Sequence, residues 1–143
     1  MDDNQRVMQI FQAHREINKA FFQLLLKAAN QHNITPVQLV VLGKLAEHPN
    51  MRLSDLSDRM SLGNSTTSGI IDRMVKAGFV SRERTESDRR AITLNLTDKG
   101  VELRKATEAT RMTLLHPLLQ LSEPDQREWL RIQQDIIRII KQV

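Results

Sequence analysis

The sequence predicts a mainly α-helical protein with one small β-hairpin. Three observations carry that expectation. Apolar residues recur at three- and four-residue steps through most of the chain. The period shortens to two only around residues 92–97, and Ser/Thr-led capping patterns stand where the helical runs begin.

The elements follow in chain order. Val7, Ile10, Phe11, His14, Ile17, Phe21, Leu24, Leu25 and Ala28 form one stripe of a long helix over about residues 4–31. Thr35-Pro36-Val37-Gln38 is a capping box with Pro at the first helical position, where its missing N–H costs nothing. The helix that it opens carries Val37, Val40, Val41 and Leu45 and stops near His48-Pro49. Ser54 is positioned to cap a short helix, Asp55 to Met60, with Leu56 and Met60 inward. Ser61-Leu62-Gly63-Asn64 reads as a turn, followed by a helix from about Ser65 to Ala77. Gly78 fits the left-handed position past that helix, with Phe79 as its apolar follower.

Ile92, Leu94 and Leu96 alternate with Thr93, Asn95 and Thr97, the pattern of a half-buried strand. Residues 79–85 supply its partner, and Glu86-Ser87-Asp88-Arg89-Arg90 between them is a charged hairpin tip. Thr97 starts a long helix through Leu103, Ala106, Met112, Leu115 and Leu119, which Pro117 is expected to kink. Ser122-Glu123-Pro124-Asp125 opens the last helix, striped with Trp129, Ile132, Ile136, Ile139, Ile140 and Val143. The succession is that of a winged helix-turn-helix set between long N- and C-terminal helices. Apolar stripes that reach both chain ends have few neighbours of their own, so burial against a second copy, a homodimer, is expected.

Composition limits the chemistry. The chain has 143 residues, 40% hydrophobic and 27% charged, enough for one domain with a core. With no cysteine, disulfides, thiolate metal sites and cysteine nucleophiles are excluded. The polar, acidic start and the shortness of every apolar run argue against a signal peptide or a membrane span, so a cytoplasmic setting without a membrane partner is expected. His14, His32, His48 and His116 show no ligand spacing, so no metal is expected. His14 lies on an apolar stripe and reads as a hydrogen-bonded core or interface histidine, the alternative being a contact with an effector or a pH-sensitive dimer. Glu123, Asp125 and Glu128 sit where a helix dipole favours carboxylates. No nucleophile elbow, catalytic triad or phosphate loop occurs, so neither enzyme activity nor a cofactor is expected. Phe11, Phe21, Phe22 and Met112 can line an effector cavity, although such residues on helical stripes are usually core.

The net charge of +4 is concentrated. Residues 73–90 hold Arg73, Lys76, Arg82, Arg84, Arg89 and Arg90 against Glu83, Glu86 and Asp88, a surplus of three. In the preceding helix Thr67, Ile70, Ile71, Met74 and Val75 form the inward face, and Ser65, Thr66, Ser68, Gly69, Asp72, Arg73 and Lys76 the outward one. Hydroxyls on the first turn of a helix suit base edges in a major groove, and the basic residues further along suit phosphates. Such clusters are also ordinary helix caps. An arginine on a narrow hairpin can enter a minor groove, and Asp88 can pin one guanidinium while the other stays free. The two elements together point to DNA, with Asn64, Ser65, Thr66, Ser68, Arg73, Lys76, Arg84, Asp88, Arg89 and Arg90 as the contacting set. A winged helix serving only as a protein-interaction module is the alternative; it requires apolar anchors on the outward face.

At these residues the chain resembles the MarR family of bacterial transcription regulators. The resemblance rests on Ser65-Thr66-Thr67-Ser68, Asp72-Arg73-Met74, Lys76-Ala77-Gly78-Phe79-Val80, Asp88-Arg89-Arg90-Ala91 and Leu96-Thr97-Asp98-Lys99-Gly100. It implies one domain over 1–143, with 33–100 as the DNA-binding winged helix and 1–32 and 101–143 as the dimerisation part. It also implies a homodimer on a palindromic double-stranded operator, a repressor released by a small-molecule or oxidant signal. Arg90 would then be the minor-groove residue, Asp88 its orienter and Arg89 an alternate. Gly69 stands where many family members carry a larger polar or basic side chain, and the lack of cysteine removes any thiol switch.

Overall fold

The computed structural model describes residues 1–84 and 91–143. Helix α1 (Asp3–Gln31) begins in a capping box in which Asp2 accepts from the Gln5 backbone N–H. Helix α2 (Pro36–Glu47) opens with the expected Thr35 and Gln38 box, the two reciprocal bonds measuring 3.2 and 3.1 Å. Then come β1 (Met51–Arg52), α3 (Leu53–Met60), α4 (Asn64–Lys76), β2 (Val80–Arg84), β3 (Ile92–Leu96) and α5 (Asp98–Leu115). A 3-10 turn, His116–Gln120, leads to α6 (Glu123–Ile140), capped by Ser122.

The sheet is three-stranded and antiparallel, in the order β1-β3-β2. The sequence foresees only the hairpin. Met51 and Arg52 pair with Leu94 and Thr93, and a two-residue strand is too short to show a period. This pairing also corrects the start of α3. Arg52, held extended by β3, is its N-cap, so the helix begins at Leu53 and Ser54 caps nothing. Asn50, at φ 59°, secures the approach to β1: its backbone N–H donates to Asn95 Oδ1 at 2.8 Å, and Asn95 Nδ2 donates to Asn50 Oδ1 at 2.9 Å.

Leu42, Leu45, Leu56, Ile71, Met74 and Leu94 are the large side chains at the centre of the core, which α2, α3, α4 and the sheet enclose. Leu39 and Leu42 turn inward where the sequence singled out Val40, which is half-buried. In β3 the alternation holds at Leu94 but not at Ile92, which is exposed, or at Thr93, which is buried. Thr93 sits between Arg52 and Glu83 of the two flanking strands and donates its hydroxyl to the Glu83 carbonyl at 3.2 Å. Ile92 pairs with Arg84, at the end of the ladder farthest from the core.

Pro117 ends α5 instead of kinking it. The α-helix stops at Leu115 and the chain continues as a 3-10 turn, so Leu119 lies outside the helix. Ala28 and Ala29, in the last turn of α1, are the buried residues of that helix, and α6 buries none within the chain. No described helix is long and apolar enough to cross a membrane.

Candidate nucleic-acid interface

Helix α4 is inserted into the core by Thr67, Ile70, Ile71 and Met74, the inward spacing that the sequence shows. Its first residue is Asn64, one position earlier than expected, and its N-cap is Gly63 in extended backbone. No side chain caps this end. Thr67 is the hydroxyl turned inward, donating to the Gly63 carbonyl at 3.0 Å. Asn64, Ser65 and Thr66 are exposed and Ser68 half-buried, and the free N–H groups of the first turn open onto the same side. The cap explanation for this Ser/Thr cluster therefore fails at Ser65 and Thr66.

The far end of α4 is tied to the sheet by a set of local bonds. Gly78 at φ 83° takes the left-handed position, and Phe79 N–H donates to the Met74 carbonyl at 2.9 Å while Gly78 N–H donates to Val75 at 3.0 Å, completing a Schellman motif. Lys99 of α5 reaches back to donate to the Ala77 carbonyl at 2.8 Å, and its ammonium lies 4.9 Å from the Phe79 ring centre. Thr97 donates its hydroxyl to the Gly78 carbonyl and accepts from the Gly100 N–H at 3.1 Å. These bonds fix α4 against the strand that follows it.

Arg73 and Lys76 are exposed on α4, and Arg84 is exposed at the end of β2. Asp88, Arg89 and Arg90 lie outside the described residues. Asp72 pairs with Arg82, joining α4 to β2 by an ion pair across the surface. The sequence count missed this pairing because Asp72 stands one residue before the basic segment. Arg82 is thus partly neutralised, and the exposed cations of the described surface here are Arg73, Lys76 and Arg84. Arg73 folds back along α4, its Nη2 lying 3.8 Å from where a Cβ on Gly69 would stand.

Elsewhere, an apolar cleft of about 380 Å³ lies between α1 and the α6 region, lined by Ile17, Phe21, Leu119, Trp129 and Leu130 among others. Of the four residues that the sequence offers for an effector cavity, Phe21 lines this cleft; Phe11, Phe22 and Met112 do not, and stand exposed. His14 is hydrogen-bonded to Asn18 at 2.8 Å on an exposed stretch of α1.

Residues 34–92 match the family model described as MarR family. The chain is 31% identical over 91 residues to the uncharacterized HTH-type transcriptional regulator YfiV of Bacillus subtilis, a match covering 64% of this chain and 57% of that protein. It is 33% identical over 76 residues to the HTH-type transcriptional repressor MdtR of the same organism, covering 53% of this chain and 49% of the relative. The chain thus spans about half of the length of these relatives. A MarR family protein from Bacillus stearothermophilus superposes with a TM-score of 0.83 at 25% identity, covering 99% of both chains.

Proposed function

Because this chain belongs to the MarR family of winged-helix proteins, we propose that it is a homodimeric, sequence-specific DNA-binding transcription regulator, a repressor released by a small-molecule effector. The observation that carries the reading is the first turn of α4. It ends on a glycine N-cap, spends neither Ser65 nor Thr66 on capping, and lies on one helix with exposed Arg73 and Lys76. Hydroxyls that donate or accept read base edges, and of the basic residues two to three turns on, Lys76 at the far end suits a phosphate and sets register. The outward face carries no large apolar anchor, which disfavours a purely protein-binding winged helix.

On this reading residues 33–100 bind DNA, and residues 1–32 and 101–143 build the dimer. Support for the dimer comes from Val7, Ile10 and Phe11 on α1 and Leu130, Ile139 and Ile140 on α6, all more than half exposed in the single chain. Such a display of large apolar side chains is what a partner copy buries. The cleft between α1 and the α6 region is where an apolar effector fits. The protein works on DNA, and hence in the cytoplasm.

The test is binding to a duplex selected from a random pool. Two-fold symmetry requires inverted half-sites with centres ~34–36 Å apart. Log affinity should fall with log salt by about 0.9 for each phosphate neutralised. Arg90→Ala should weaken binding while leaving the dimer folded. Affinity indifferent to both salt and Arg90→Ala overturns the reading.

A further inference from the structure

Gly69 leaves a gap in the outward face of α4, between the hydroxyl-bearing first turn and the basic last turn. Arg73, four residues on, fills it. Helical side chains lean toward the N-terminus, and the Arg73 guanidinium follows that lean until Nη2 lies 3.8 Å from the missing Cβ. Four residues of helix, about 6 Å of rise, separate the Cα level of Arg73 from that of Gly69. The guanidinium therefore sits nearer the hydroxyl end than its position in the sequence indicates. Two features leave it available. Asp72, the adjacent carboxylate, is engaged by Arg82. Among the described residues, no carboxylate stands within ion-pair distance of Arg73.

We propose that Arg73 is a specificity-determining residue that reads a guanine edge across the bare surface of Gly69, not a phosphate anchor as its place in the sequence indicates. The inference rests on the DNA-binding reading above and assigns one residue within it. A guanidinium presents a planar fork that matches guanine O6 and N7 in a bidentate contact, the commonest specific one in the major groove. A side chain extending beyond a Cβ at residue 69 would occupy that path. Lys76 and Arg84 remain the phosphate contacts.

The experiment selects duplexes from a random pool with the purified full chain, its Arg73→Ala and Arg73→Lys variants, Gly69→Ala and Gly69→Gln. The wild type should return an inverted repeat with guanine strongly preferred at one position of each half-site. Arg73→Ala should lose that preference alone, with discrimination there falling about ten- to a hundredfold while the other positions hold. Arg73→Lys should weaken it, since an ammonium lacks the fork. Gly69→Ala should keep it, because a Cβ at 3.8 Å is ordinary contact, and Gly69→Gln should lose it by displacing the guanidinium. The proposal is overturned if Arg73→Ala keeps every base preference, weakens binding equally on all duplexes and reduces the salt slope by about one. A wild type that selects no common sequence overturns the DNA-binding reading itself, and this assignment with it.

Discussion

A Cβ placed on Gly100 would lie 2.1 Å from the backbone oxygen of Phe79 and 3.0 Å from its carbonyl carbon. Helix α5 is therefore seated directly on the turn that leads α4 into β2, and only a residue without a side chain permits the contact. Phe79 accepts from the Thr97 backbone N–H at 3.1 Å, so its carbonyl is held and cannot give way. The stretch Leu96-Thr97-Asp98-Lys99-Gly100 has a mechanical meaning here: it is the joint between the helix proposed to bind DNA and the helix proposed to build the dimer.

Gly100→Ala should accordingly destabilise the fold despite the better helix propensity of alanine. Overpacking against a fixed backbone costs about 1–3 kcal/mol. Urea denaturation should show a lowered midpoint, and an unchanged or raised one would mean that the joint yields.

Thr97 serves both sides of the same joint, capping α5 through Gly100 N–H and holding the Gly78 carbonyl. Thr97→Ala should cost about 0.5–2 kcal/mol, the range for loss of an N-cap. Thr97→Ser retains the hydroxyl and should recover most of it in the same denaturation series.

The Asp72–Arg82 pair is exposed, with side chains about half and one third accessible, so its contribution to stability should stay below about 1 kcal/mol. Its electrostatic consequence is larger. Asp72→Ala releases a cation beside the proposed interface, so affinity for any duplex should rise at low salt, with a steeper salt dependence. Fluorescence anisotropy across a salt series measures both.

On α5, burial pushes the Glu108 carboxyl up, but hydrogen bonds from Arg111 and Arg104 and their charges outweigh it and hold the group below its ordinary value. The two bonds measure 2.6 and 2.7 Å. A depressed folded-state value stabilises the fold above the unfolded-state value, and that contribution is lost as pH falls through the folded one. The stability difference between wild type and Glu108→Gln should thus be present at neutral pH and shrink below about pH 4.5, by thermal melts at stepped pH. A difference independent of pH would deny the ion pair this role.

Trp129→Glu or Ile10→Glu places a charge on an apolar face that the single chain leaves open. Either should convert the proposed dimer into a folded monomer, seen by light scattering with helical circular dichroism retained. A dimer that survives both substitutions is built on another surface.

Much of the fold was legible because its signals are local. The Thr35–Gln38 box, the Gly78 turn, the Thr97 and Ser122 caps and the inward set of α4 all depend on residues within about four positions of one another. The same holds for the hydroxyls of the first turn of α4, which the helical period alone places on the outward face. Local pattern was therefore enough to place the long helices and the hairpin, the inward set of α4 and the gathering of basic charge along the chain.

Other relationships join residues that no local period connects. Strand β1 exists because β3 pairs with it across more than forty positions, and that pairing moved the start of α3. Ile92 turned outward because the core ends before it, and Thr93 inward because two strands flank it. Folding set Arg82 on Asp72, Gly100 on Phe79 and Arg73 over Gly69. The first two follow from chain segments brought together by the common core. The third lies within one helix, where the Arg73 guanidinium runs back along the face that Gly69 leaves bare while Asp72 is engaged by Arg82 of another strand.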